Sequence, residues 1–128
     1  MSVHNTRKEL DLVLGKGSYR IPSEVYEFRY ARINVAINNK IKSLWIFIGR
    51  ERDYLLIPGV FCNCKDFIFR TVINKTSKFC KHQLGLHIAI YKKKYVEINL
   101  DPQRLYIIMS EILSRGFSIE LRKVLSRK

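Results

Sequence analysis

Apolar and polar residues alternate along the first half of the chain and change their period in the second half. From Tyr26 onward the alternation is two-fold, which is the period of a β-strand with one buried face. Asn38-Asn39 is a tight-turn signal, and the polar run 50–53 is a second turn. We therefore predict an antiparallel meander of three strands, over 26–37, 41–48 and 54–57.

The second half carries apolar residues at helical spacing. This spacing predicts a helix over 81–94, and a second one that begins at Asp101-Pro102 and ends at Gly116. The last element, over 117–125, fits a strand or a helix, and we favour a helix. A short helix is also predicted over 5–14. Because the strands precede the helices, the predicted fold class is α+β, and the length of 128 residues predicts a single domain over 1–128.

Composition narrows the class of protein. The chain is 47% hydrophobic with only six glycines and three prolines, which excludes a disordered or fibrous protein. No apolar run approaches the ~18 residues of a membrane span, and residues 1–8 lack the apolar segment of a secretory signal. We therefore expect an intracellular, cytoplasmic protein without a membrane partner. The net charge of +13 predicts a polyanionic partner, most simply nucleic acid, with DNA favoured.

All three cysteines lie in one short stretch. Cys62 and Cys64 form a Cys-x-Cys pair, and a fifteen-residue spacer leads to Cys80 and His82 in a Cys-x-His pair. Three thiolates and one imidazole are a standard closed ligand set for tetrahedral zinc. The pattern therefore predicts one structural Zn²⁺, with the second pair at the start of a helix whose positive end favours thiolate. The alternatives are three reduced cysteines packed in a core, or an iron–sulfur cluster that would lack its fourth cysteine.

His87 follows His82 by five residues, on the apolar side of the same predicted helix. We interpret it as a histidine at the edge of the core, not as a metal ligand.

The Cys-x-Cys, spacer, Cys-x-His order resembles the SWIM-type zinc finger. The resemblance covers roughly Leu44 to Tyr91, includes Asp66-Phe67 and Lys81, and implies a module over 44–95. It implies a ββα arrangement: a strand pair, the first ligand pair, and a helix that carries the second. SWIM domains are regarded as nucleic-acid or protein interaction modules. One subgroup pairs with RecA-family recombinase paralogues in Shu-type complexes; it has Ala three residues after the His, where this chain has Gly85.

The most basic part of the chain contains the cysteines. Residues 61–95 hold eight basic side chains and one acidic one. We predict that the eight contact phosphates: Lys65, Arg70, Lys75, Lys78, Lys81, Lys92, Lys93 and Lys94. Each could equally be a solvated lysine or arginine, and the lysines over 92–94 also suit a helix C-terminus. The aromatic residues Tyr26, Phe28 and Tyr30 fit base-stacking faces or strand core.

Three functions are compatible with these residues. The first is a zinc-stabilised nucleic-acid-binding protein of DNA repair, recombination or regulation. The second is a protein-interaction module whose partner is a RecA-family recombinase paralogue, docked on apolar surface of the 102–125 helices. The third, an enzyme, is the weakest, because four protein ligands close a zinc site and no glycine-rich phosphate loop or carboxylate pair is present. We therefore expect no catalysis and no small-molecule substrate.

Overall fold

The computed structural model describes residues 21–75 and 79–127. Five strands form one sheet in the order β4-β3-β2-β1-β5. The strands are β1 Tyr30–Ile37, β2 Lys40–Phe47, β3 Tyr54–Ile57, β4 Phe61–Cys62 and β5 Val96–Leu100. The helical segments are α1 Ser23–Tyr26, the π-helix π1 Phe67–Ile73, α2 Lys81–Lys92, α3 Pro102–Arg115 and α4 Ile119–Ser126. The predicted helix over 5–14 lies outside the described residues.

The predicted meander and its first turn are confirmed. β1, β2, β3 and β4 pair in sequence order, each antiparallel to the one before it. Asn38 and Asn39 both have positive φ, of 51° and 64°, which is the backbone of a two-residue type I′ hairpin. Asparagine tolerates this conformation because its short side chain bonds locally to the backbone.

The start of the first strand was predicted wrongly. The chain over Ser23–Tyr26 is a helical turn, Phe28 has a φ of 57°, and β1 begins only at Tyr30. The alternation of Tyr26 and Phe28 with polar residues suggested a strand. However, neither side chain faces the core, and the residue that anchors this turn is Val25, which is fully buried.

The order "strands first, helices after" is also wrong. β5 follows α2 in the sequence and pairs parallel to β1, so the sheet is mixed. A parallel partner must be reached by a crossover, and here α2 lies within that crossover. The prediction assigned no element to 96–100 because five residues between two helical patterns give only a weak strand signal.

The sheet is covered on both sides. We call the side with α1, α2 and the cysteines the metal face, and the side with α3 and α4 the helical face. Neighbouring residues of one strand serve opposite faces: Trp45 and Phe47 belong to the core of the metal face, and Ile46 to that of the helical face. Each face therefore has its own buried cluster.

The first of the two C-terminal helices, α3, has the predicted ends. The Asp101 carboxylate accepts a hydrogen bond from the Arg104 backbone N–H at 2.7 Å, and Gly116 closes α3 with a φ of 78°. The last element is the favoured helix, α4, capped by the Ser118 hydroxyl, which accepts from Leu121 N–H at 3.0 Å. Between 21 and 127, leaving out 76–78, no helix is long and apolar enough to cross a membrane.

Candidate metal centre

The two predicted ligand pairs meet on the metal face. The ligand atoms of Cys62, Cys64, Cys80 and His82 all lie within 4.8 Å of one another. All four residues are buried, with between 0% and 7% of their surface exposed. The arrangement can hold one metal ion, as the spacing predicted.

The first pair sits where β4 ends. Cys62 closes that strand, and Asn63 fixes the next turn because its side chain accepts from Leu55 N–H at 2.8 Å. The Cys64 sulfur accepts a hydrogen bond from Phe67 N–H at 3.3 Å, so it caps the start of the helical segment that follows. The Cys64 sulfur is thus held by a backbone contact that does not need the metal.

The second pair begins α2, as predicted. Cys80 is the N-cap residue, with an extended backbone, and His82 lies in the first turn of the helix. The Nδ1 atom of His82 is 3.9 Å from the Cys62 sulfur. Its ring packs between Phe47 and Tyr54, with centroid distances of 4.8 and 4.6 Å, which limit its rotation.

A close contact between β1 and α2 positions His82. The Tyr30 hydroxyl donates to the His82 carbonyl oxygen at 3.1 Å. The Tyr30 hydroxyl lies directly over Gly85, where an added Cβ would stand 2.2 Å from the hydroxyl oxygen. Gly85 is therefore the residue that lets the strand approach the ligand-bearing helix.

Gln83 is a positioning residue that the sequence analysis missed. It is buried, and its side-chain amide donates to the carbonyl oxygens of Ile57 at 2.9 Å and Phe61 at 2.7 Å. Its side-chain oxygen accepts from Gly59 N–H at 3.1 Å. These bonds tie the β3–β4 turn to α2, and hence the first ligand pair to the second. The available signal was a glutamine directly after the histidine on a helix with many apolar residues.

The three thiols influence one another's pKa. Hydrogen bonding with Cys64 raises the pKa of Cys62, and the same contact lowers the pKa of Cys64. The N–H of Phe67 also lowers the pKa of Cys64. Because metals bind the thiolate form, this arrangement favours Cys64 as a ligand.

The chemistry of the donor set agrees with the geometry. Sulfur and imidazole nitrogen are the donors that Zn²⁺ and other soft or borderline metals select, and four such donors complete a tetrahedron. His87 is not part of the set; it is half-buried further along α2.

A groove of about 880 Å³ opens beside the cluster, between the 49–54 turn, the first ligand pair and the end of α3. Cys64 and His82 contribute to its wall. Its basic lining residues come from four separate parts of the chain: Arg50, Arg52, Lys65, Lys81 and Arg115. Its acidic lining residues are Glu51, Asp53 and Asp66. Asp53 is buried and paired with Arg122, so its charge is compensated.

The eight predicted phosphate contacts fall into separate places. Lys65 and Lys81 line the groove. Arg70 pairs with Asp66 at 3.2 Å on π1, and Lys75 is exposed after it. Lys92, Lys93 and Lys94 lie at the other end of α2, about 15 Å from His82 at the helical rise of ~1.5 Å per residue. Lys78 lies outside the described residues.

The groove also contains arginines that the prediction omitted. Arg50, Arg52 and Arg115 are outside the basic stretch 61–95, and only the fold brings them beside Lys65 and Lys81. No feature of the sequence linked them.

Comparison with known proteins gives no relative. No family model matches the chain, and no curated protein or solved structure shows significant similarity to it. The resemblance to SWIM zinc fingers therefore rests on the four ligand residues, their order and the elements that carry them.

Proposed function

We propose that the chain is a SWIM-type zinc module that binds the phosphate backbone of nucleic acids, DNA above all. The observation that carries the proposal is the basic groove, whose wall includes two of the four candidate metal ligands. One tetrahedral Zn²⁺, held by Cys62, Cys64, Cys80 and His82, would hold α2 against the β3–β4 hairpin. In doing so it would fix the positions of Lys65 and Lys81.

The metal part of the proposal is tested by composition and absorption. Protein purified without chelator should contain about one zinc per chain, and cobalt substitution should give the absorption of a tetrahedral thiolate site. Cys64→Ser should lose the metal. His87→Gln is the matched control: it alters a histidine of the same helix outside the cluster and should keep the zinc. Folded protein that holds and takes up no metal would overturn this part.

The nucleic-acid part follows from charge. Lysine and arginine side chains along a groove replace condensed counterions on phosphates, so affinity should fall steeply as salt rises. For duplex DNA, each phosphate contact should lower the logarithm of the binding constant by ~0.9 for every tenfold increase in salt concentration. The acidic residues of the groove partly offset this charge, but Asp53 is already paired with Arg122 and Asp66 with Arg70. The groove therefore keeps a positive excess.

The test is a pair of double charge reversals. The double variant Lys65→Glu with Arg115→Glu reverses two charges of the groove. It should weaken binding to every sequence and reduce the slope of affinity against salt by an amount equal to about two phosphate contacts. Lys40→Glu with Lys42→Glu makes the same change of charge at the exposed β1–β2 hairpin and is the matched control. Equal losses in both variants would mean that net charge acts without the groove. No loss in the groove variant, or no binding by the wild type at low salt, would overturn the proposal.

A second candidate function is a protein-interaction module. Four large apolar residues are exposed on α3 and α4, with between 42% and 73% of their surface accessible: Tyr106, Ile107, Leu113 and Ile119. In this alternative the partner would be a RecA-family recombinase paralogue, and the isolated chain would bind little DNA. Ile107→Asp, which changes an exposed residue of α3 outside the lining of the groove, should then abolish capture of that partner and leave the weak DNA binding as it is.

We further propose that the protein is not an enzyme. The four candidate ligands are buried, and a tetrahedral metal bound by all four would have no open position for a substrate or an activated water. Residence in the cytoplasm stays a prediction of the sequence.

A further inference from the structure

Two aromatic rings and an ammonium group form a small exposed cluster next to α1. Tyr26 has 53% and Phe28 has 44% of its surface accessible. The Nζ atom of Lys94 lies 5.9 Å from the centroid of the Tyr26 ring and 5.7 Å from that of Phe28. We call these three residues the aromatic cluster. Tyr30, the third aromatic of the same stretch, is buried against Phe47 and belongs to the core.

The end of α1 places the Phe28 ring. Phe28 has the left-handed backbone that closes a helix, with a φ of 57°, and Arg29 N–H donates to Glu24 O at 3.1 Å, as in a Schellman cap. The turn is fixed on both sides, since Phe28 N–H donates to Val25 O at 3.2 Å and Ile48 N–H donates to Arg29 O at 2.7 Å. A ring that a well-anchored turn presents to solvent is suited to contact a ligand.

The end of α2 places Lys94 beside the two rings. Lys93 takes the left-handed conformation that closes the helix, with a φ of 56°, and Lys94 N–H donates to Ala89 O at 2.9 Å. Lys92 and Lys93 are exposed beside it in the sequence. Of the acids on this side, Glu27 is paired with Arg29 at 3.2 Å and with Arg50 at 3.7 Å. Burial chiefly raises the pKa of the Tyr30 phenol, and the nearby groups Cys80 and Glu24 raise it further.

We propose that the aromatic cluster binds unpaired bases, so that single-stranded nucleic acid is the preferred ligand. This inference rests on the proposal that the protein binds nucleic acid, and it names the kind of strand that the protein prefers. Bases stack on exposed Tyr and Phe rings, and lysines beside the rings contact the phosphates that connect those bases. In a duplex the base faces are covered by their neighbours, so a duplex reaches the lysines but not the rings. Single-stranded DNA and RNA share this chemistry.

The experiment compares ligands and variants at one salt concentration. Wild type and Tyr26→Ala with Phe28→Ala are titrated with fluorescent oligo(dT), oligo(U) and a duplex of equal length. Stacking is worth ~5- to 150-fold in affinity per base. We expect the double variant to lose about tenfold or more for the single strands and less than twofold for the duplex. Tyr106→Ala, which removes a tyrosine that is 73% exposed on α3, is the matched control and should change neither affinity.

A second variant reports the contact directly. Tyr26→Trp places an exposed indole in the cluster, whereas the native Trp45 is buried. Saturable quenching of the added fluorescence by oligo(dT), and not by duplex, is expected from stacking. The side chains changed in these variants, Tyr26, Phe28 and Tyr106, are all exposed. The circular dichroism and zinc content of each variant should therefore match those of the wild type.

The two proposals fail in different ways. If the alanine pair binds single strands as well as the wild type does, or loses duplex affinity equally, the stacking inference is wrong, and the groove proposal stands on its charge reversals. If the groove variant binds everything normally while the alanine pair loses single strands, the groove proposal is wrong and the stacking inference stands. A difference between oligo(dT) and oligo(U) identifies the preferred strand. Wild type that binds no single strand overturns the stacking inference.

Discussion

The two faces of the sheet are stabilised by different means. The hydrophobic cluster of the helical face consists of aliphatic residues, and its two helices, α3 and α4, have capped N-termini and a glycine between them. The metal face buries three cysteines among its aromatic and aliphatic residues. Its local elements are weak: β4 is two residues long, and a seven-residue π-helix lies between the ligand pairs. A π-helix is an uncommon conformation that is seldom stable by itself.

The difference indicates what a bound metal would do. We expect the helical face, with its aliphatic burial and capped helices, to form without help. On the metal face the first ligand pair lies between a two-residue strand and the π-helix, so a bound ion would supply stability that these short elements lack. Metal binding would then be coupled to the folding of one face of the domain.

The largest expected effect comes from removing the metal. Cys80→Ser should lower the stability of the metal face by about 5 kcal/mol or more, because structural zinc contributes directly to folding. Hydrogen exchange should show lost protection across 54–92 and retained protection in α3 and α4.

Wild type treated with a strong chelator serves as the control for that variant and should give the same exchange pattern. If the protection of 54–92 is unchanged, the metal is not structural. If both faces lose protection equally, they form one cooperative unit, and the distinction between them is wrong.

A mutation on the opposite face should act without the metal. Ile112 on α3 is 2% exposed, and Ile112→Ala should cost about 2–5 kcal/mol through lost burial and a residual cavity. Zinc stoichiometry in the folded variant should stay at the wild-type value. Chemical denaturation with metal analysis of the native fraction measures both. Zinc loss from folded Ile112→Ala would show that the helical face supports the metal site.

Gly85→Ala tests the contact between β1 and α2. In a free helix this change would stabilise by ~1 kcal/mol, because alanine is the better helix former. Here the new Cβ would meet the Tyr30 hydroxyl at 2.2 Å, so we expect destabilisation by ~1–3 kcal/mol. The sign of the change therefore separates the two effects. Tyr30→Phe removes that oxygen and should relieve part of the cost in the double variant. A stabilised Gly85→Ala would mean that the strand can move away.

Local signals explain which parts of the fold could be predicted. The Asn38-Asn39 turn, the Asp101 cap and the Gly116 stop depend on one or two residues whose conformational preference is strong. The clustering of Cys62, Cys64, Cys80 and His82 was predictable because metal coordination requires these few side-chain types at such spacings. That they bind a metal stays a prediction.

The remaining parts depend on tertiary contacts. The two-fold alternation over 26–30 is the same whether Phe28 faces a core or solvent. The burial of Val25 decides that this segment is a helical turn and that Phe28 faces solvent. β5 is a strand because β1 offers it an edge. The groove joins Arg50 to Arg115, which are far apart in the sequence. Asp53, whose carboxylate accepts from Gly49 N–H, Ser118 N–H and Arg122, looks like any other acid of a polar turn.

The smallest effect we expect is the pH dependence of one carboxylate on the helical face. Partial burial acts to raise the pKa of Glu111, but hydrogen bonds from the Ser118 hydroxyl and Glu120 N–H, at 2.7 and 3.0 Å, outweigh it and lower the pKa from its ordinary value of 4.5. A lowered folded pKa stabilises the fold above the unfolded pKa, and that stabilisation is lost as the pH falls through the folded value. Glu111→Gln should therefore cost about 1 kcal/mol or less at neutral pH, and nothing once Glu111 is protonated. Acid also protonates the thiolates of the metal face, but this acts equally on both proteins, so the difference between their unfolding free energies isolates the carboxylate. A difference that does not change between pH 7 and pH 3 would mean that Glu111 contributes by packing and not by its charge.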